Sequence, residues 1–159
     1  MRRHIVGTVL FVILSQAGVA PAASIRKEIV VAASAEAVWD AVRDFAAVQE
    51  RLVPGFVVDT RMDGDEVRIV TFANGTTARE LLVNRDDAAR RLVYAVVGGR
   101  IVNHSASVQV FADGARRCRI VWITDVLPNA LAGYIASQMD TAAVVMKKTL
   151  EQPPQPRAR

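Results

Sequence analysis

The 159-residue chain has a single cysteine, Cys118, so no disulfide can form within it. Its stability has to come from an ordinary core. Histidine is almost as scarce: His4 and His104 are the whole complement, which excludes a histidine-rich metal centre. No glycine-rich phosphate loop, HExxH pair or GxSxG elbow occurs, so the sequence offers no signature of a nucleotide-binding loop, a zinc protease or a serine hydrolase. Neither a metal nor a cofactor is expected. Aromatics make up only 6% of the residues, and the 20 basic side chains are scattered singly or in pairs among 16 acids. Without a basic stripe carrying interleaved aromatics, the high isoelectric point does not indicate a nucleic-acid partner. It is the pattern of a solvated surface.

What the chain does have begins at its N-terminus. Met1-Arg2-Arg3-His4 is basic, residues 5–14 are almost wholly apolar, and Ala20-Pro21-Ala22 supplies the small-x-small pattern of a signal-peptidase site. The apolar run is shorter than the ~20 residues that a bilayer span needs. These features predict a Sec-type signal peptide over residues 1–22 and a periplasmic or secreted protein with no stable membrane span after cleavage. Cleavage takes away two Arg and no acid, lowering the formal charge from +4 to +2. A single domain is then expected over residues 23–151, with a disordered Pro/Arg tail at 152–159.

Within that domain, residues 25–32 alternate as a first strand. Ser34 offers an N-cap and Glu36 an acid in the first turn, and Ala37, Val38, Ala41, Val42 and Phe45 recur at helical spacing. A second short helix is predicted over 46–52, ended by Pro54-Gly55. Six strands follow at 56–62, 66–73, 76–84, 91–97, 102–111 and 117–126. Asp63-Gly64, Asn74-Gly75 and Asp113-Gly114 provide hairpin signals between them. Leu131, Ile135, Met139, Ala142, Met146 and Leu150 then step by three and four, predicting one amphipathic helix over 129–150. The order is that of an α+β fold with one antiparallel sheet.

The residues resemble the START-like SRPBCC superfamily, in its polyketide cyclase/dehydrase and lipid-transport branch. The resemblance rests on Ser34-Ala35-Glu36-Ala37-Val38-Trp39 after the first strand, Asp44-Phe45, Arg79-Glu80-x-Leu82, Asp86, Arg91-Leu92-x-Tyr94, Val97-Gly98-Gly99, the Trp122 strand and the closing helix. It implies a helix-grip: a curved seven-stranded antiparallel sheet wrapped around a long C-terminal helix, with two short helices after the first strand. Members of the superfamily hold hydrophobic ligands between sheet and helix, and a minority catalyse cyclisation or dehydration. The gate and latch sequences of the related plant hormone receptors are absent, so their switching is not implied.

Five residues are candidates for the lining of such a cavity. By the resemblance, Glu80 points inward, where a partly desolvated carboxyl with a raised pKa could act as acid or base or bind a ligand hydroxyl. The alternative is a solvent-facing Glu80 paired with an Arg on the next strand. Tyr94 alternates with Leu92 and Val96, and the resemblance also turns it to the pocket. His104 is in phase with Val102, Ala106, Val108 and Val110, which sends it inward. Trp122 is in phase with Ile120 and Thr124, but Val121 and Ile123 form a competing apolar face. Met139, with Met146, suits a deformable floor. Thr77 and Arg79 fall opposite Glu80 unless a bulge intervenes.

No residue is assigned as catalytic; Glu80 and His104 are the candidates if the protein is an enzyme. With few inward polar residues, the expected function is an exported carrier for a small hydrophobic, lipid- or polyketide-like ligand. The alternatives are a cyclase/dehydratase-type enzyme, or an accessory protein whose cavity is closed.

Overall fold

The computed structural model describes residues 22–99 and 101–152. The expected signal peptide and C-terminal tail therefore lie outside the described residues, apart from Ala22 and Gln152. Strand β1 spans Ala23–Val31, and after two short helices β2 to β7 follow as Val57–Met62, Val67–Phe72, Thr77–Asp86, Arg91–Val97, Asn103–Ala112 and Cys118–Leu127. They form one antiparallel sheet in the order β1-β7-β6-β5-β4-β3-β2. Strands β2 to β7 are thus a meander in sequence order, and β1 closes its far edge against β7.

Helix α1 covers Ala35–Val42, and the Ser34 hydroxyl accepts from the Ala37 N–H at 3.2 Å, as the N-cap pattern requires. The second helix differs from expectation: Phe45–Ala47 is a 3₁₀ turn, and α2 is a single turn over Val48–Arg51. The closing helix α3 runs over Ala132–Leu150, preceded by a separate 3₁₀ turn at Asn129–Leu131 in which the Leu131 N–H reaches the Pro128 carbonyl. Its Met139, Ala142 and Met146 are buried as the periodicity predicts, and Val144 on the other side is 71% exposed. Leu131 and Ile135 are only half-buried.

Polar ties fix α3 along β1. Lys27 Nζ lies 2.6 Å from Asp140, Lys147 Nζ donates to the Val30 carbonyl at 2.5 Å, and Glu151 accepts from the Ala32 N–H at 2.9 Å. The helix is thereby held over one edge of the sheet and lies across the middle strands through its buried side chains. The result is the helix-grip.

The register decides which side chains face α3. Leu92, Val108, Trp122 and Lys27 form one cross-strand row, and Tyr94, Ala106, Thr124 and Ile25 the next. Trp122 therefore faces the helix and Val121 and Ile123 face away. The bulge in β4 falls after Leu82, too late to turn Arg79 inward. Arg79 lies on the outer face and pairs with Asp63.

Candidate functional site

Between α3 and the middle of the sheet lies a cavity of about 80 Å³. Val42 of α1, Val48 of α2, Leu52, Val53 and Phe56 close one end, while Ala142 and Met146 of α3 form the roof. The floor is Val70, Leu92 and Val108, and four side chains bring polar atoms to the wall: Arg68, Glu80, Tyr94 and Trp122. The lining is otherwise aliphatic or aromatic.

Glu80 points inward and is only 6% exposed, but it does not stand alone. Arg68, directly across on β3, donates from Nε and Nη2 to the same carboxylate oxygen, Oε2, at 2.7 and 2.6 Å. Its Nη1 donates to the Phe45 carbonyl at 2.7 Å. The guanidinium carbon lies 4.0 Å from the Phe45 ring centre and 5.6 Å from that of Tyr94. Each favourable contact offsets part of the large penalty for taking two charges out of water. Both sequence alternatives for Glu80 are thus half right. It is inward, and it is paired with an arginine of the neighbouring strand. Arg68 is not among the residues expected at the site: Val67 and Ile69 compete with Val70 and Phe72 for the inner face, so the strand's phase alone does not place it.

Tyr94 is buried, and desolvation followed by the negative charge of Glu80 pushes its phenol well above the ordinary value. It stays protonated and neutral at any physiological pH. The Trp122 N–H lies close enough to favour the Tyr94 anion slightly, yet it meets no acceptor in hydrogen-bond geometry. His104 faces the same side of the sheet, but neither it nor Met139 lines the cavity. Met139 is buried in the α3 contact instead. The five expected residues therefore separate: Glu80, Tyr94 and Trp122 come together at the cavity, and His104 and Met139 stand outside it.

Burial depresses the pKa of His104, against a smaller opposing pull from Glu80. The folded protein consequently binds fewer protons near His104 than the unfolded chain, whose imidazole titrates near the ordinary ~6.5. Stability should fall as pH drops through that value. Denaturant titrations between pH 8 and pH 5.5 should show this loss in the wild type and a shallower one in His104→Leu; equal slopes would contradict it.

Cys118 is fully buried and its thiol pKa is raised by that burial, so it is an inert core side chain. Among the described residues, no group of His, Cys, Asp and Glu could hold a metal ion, and no helix is long and apolar enough to cross a membrane.

Comparison with known proteins agrees with this geometry. Residues 22–152 match the model of the family described as polyketide cyclase / dehydrase and lipid transport. A solution structure from Thermobifida fusca is 30% identical, with a TM-score of 0.64 over 80% of this chain and 90% of that one. The norcoclaurine synthase of Thalictrum flavum, as a point mutant with a transition-state analogue, is 21% identical, with a TM-score of 0.64 over 82% and 94%. The di-domain ARO/CYC BexL from the BE-7585A biosynthetic pathway is 19% identical, with a TM-score of 0.69; the match covers 81% of this chain and 46% of that one. At those identities the last two show the fold. No protein of curated function matches the sequence.

Proposed function

The chain belongs to the polyketide cyclase/dehydrase and lipid-transport family, and from that premise we propose that it is an exported binding protein for a small hydrophobic molecule held between the sheet and α3. The observation that carries this reading is how the cavity's polar groups are used. Arg68 and Glu80 direct their hydrogen bonds at each other and at the Phe45 carbonyl, Tyr94 is held neutral, and apart from its hydroxyl and the Trp122 N–H the rest of the wall is apolar surface. A cyclase- or dehydratase-type reaction needs an acid or base free to exchange a proton with the substrate. The lone, partly desolvated carboxyl that such work calls for is here one half of an ion pair.

The cavity is small. Pockets that enclose drug-sized ligands measure roughly 300–1,000 Å³, so a ligand of more than a few heavy atoms must displace part of the lining. Met146 on the roof is suited to yield, because an unbranched thioether repacks at little cost. Gentle purification from the periplasm, organic extraction and mass spectrometry should recover a small apolar compound. If none is recovered and no small aromatic or aliphatic molecule binds the purified protein, the carrier reading is wrong.

Tyr94→Ala should weaken binding of such a compound by about 1–3 kcal/mol, the value of the apolar contact removed. Calorimetry on wild type and variant measures it, and unchanged affinity would remove Tyr94 from the site. The export reading rests on residues 1–22 alone. It predicts that protein isolated from the native host begins at Ala23, the first residue of β1. N-terminal sequencing decides this, and an intact Met1 in the membrane fraction would indicate an uncleaved anchor instead.

A further inference from the structure

Four buried side-chain polar atoms lack a hydrogen-bond partner among the described residues, and three of them lie on one patch of the sheet's inner face. They are Trp122 Nε1 and Thr124 Oγ1 on β7, and His104 Nδ1 on β6. Thr124 is 1% exposed. The register explains why they are neighbours. Thr124 sits opposite Ala106, and His104 sits opposite Val126, two residues along β7 from Thr124. Residues so placed are diagonal neighbours on one face, ~7–8 Å apart at the backbone and within side-chain reach. Trp122 flanks Thr124 on its other side. At the centre stands Ala106, the smallest side chain of the group, and Tyr94 lies across from it on β5.

Such atoms are uncommon, because a buried donor or acceptor left dry forfeits its hydrogen bonds to water. One alone is tolerable as a packing accident. Three on adjoining positions, at the edge of a cavity that Trp122 itself lines and with Tyr94 beside the indole N–H, concentrate unused hydrogen-bonding capacity at one end of that cavity. We propose that Trp122, Thr124 and His104 form a polar pole of the binding site that takes an oxygen of the ligand, a carbonyl or a hydroxyl. This rests on the cavity being the binding site and specifies what enters it: a compact, oxygen-bearing apolar molecule rather than a plain hydrocarbon chain. The indole is the residue that fixes the chemistry. It can only donate, so the ligand must present an acceptor. The Thr124 hydroxyl can donate to the same oxygen or accept its proton, which admits both carbonyl and hydroxyl. The three atoms are closed over by their neighbours, so a ligand that enters from the cavity is what completes the pole.

The test compares phenol with toluene, two molecules of nearly equal shape that differ by a hydroxyl for a methyl. A dry apolar pocket favours toluene, because phenol must shed hydrogen bonds to water on entry. Preference for phenol therefore reports partners inside. Ligand-observed NMR titrations of the full mature chain should give wild type a preference for phenol of about tenfold, the value of one net hydrogen bond. Thr124→Val should reduce that ratio to near one or invert it. The same substitution should leave the melting temperature unchanged or higher, since it replaces an unpaired buried hydroxyl with a methyl of similar shape. A purely structural threonine would leave the ratio unchanged, and one already bonded in the fold would lose stability on substitution. Trp122→Phe should lower the ratio independently. If toluene binds wild type as well as phenol does, or Thr124→Val leaves the ratio intact, the polar pole is wrong while the cavity reading survives. If neither probe binds at millimolar concentration, both fail.

Discussion

Glu80→Leu should lower the stability of the protein by about 3–5 kcal/mol, the expected result of stripping the partner from a buried charge. Arg68 is 6% exposed and has no second carboxylate within the described contacts. Once Glu80 is gone, the guanidinium must stay buried without its counter-ion or tear itself from between Phe45 and Tyr94 to reach water. Either outcome also loosens the Phe45 carbonyl, which anchors the segment between α1 and α2 to the sheet. Arg68→Met alone should cost a similar amount, because it leaves the carboxylate unpaired. The double substitution Arg68→Met with Glu80→Leu should recover most of the loss, since well-packed apolar residues often replace a buried ion pair at no net cost. Denaturant unfolding of the three variants forms a double-mutant cycle. Additive losses in the double variant would show that the pair is not coupled as its geometry indicates. For the same reason, Glu80→Gln is a poor diagnostic of catalysis here. Any loss of function it brings includes the disturbance of Arg68.

The second large effect is expected at Ala142. Its methyl roofs the cavity, and it is 1% exposed. Ala142→Leu points three more carbons into an empty space of about 80 Å³. Burying them gains roughly 0.8 kcal/mol per carbon, set against ~1–3 kcal/mol if the fit is imperfect. Stability should therefore change little, whereas binding of any small hydrophobic ligand should fall by more than a hundredfold, because the space is already filled. A competition titration against the co-purified compound, with a thermal melt of the same sample, reads both quantities. Full-strength binding by a folded Ala142→Leu protein would place the ligand elsewhere.

Much of the fold is legible in the sequence alone. Alternation within 25–32 and 91–97, the Ser34 cap, and the three- and four-step spacing from Met139 to Met146 each correspond to the element observed, because local sterics and burial on one face act over a few residues. The candidate site was legible where the resemblance placed a residue, as at Glu80, or joined a strand's phase, as at Tyr94; phase alone set His104 on the inner face but outside the cavity. Tyr94 needed no more than its alternation with Leu92 and the resemblance. Trp122 could not be placed, because both faces of its strand are apolar, and only its pairing with Val108 turns it inward.

Arg68 shows the physical limit most clearly. Reading Asn74-Gly75 as a two-residue turn sets Glu80 against Ile69 and sends Arg68 to the outer face. In the structure Phe72 pairs with Thr76 around three residues, so Arg68 stands against Glu80 instead. One residue of loop length flips every side chain of a strand. The sequence by itself determined the single cysteine, the order of strands and helices, the helical stripe that seats α3 and the family. The tertiary structure decided which strands oppose which residues, and hence that the inward carboxylate is neutralised by an inward arginine. It also decided that His104 and Met139 stand outside the cavity that Glu80, Tyr94 and Trp122 share. Those outcomes depend on register and on the height of α3 above the sheet, and both are set by contacts between residues far apart in the chain.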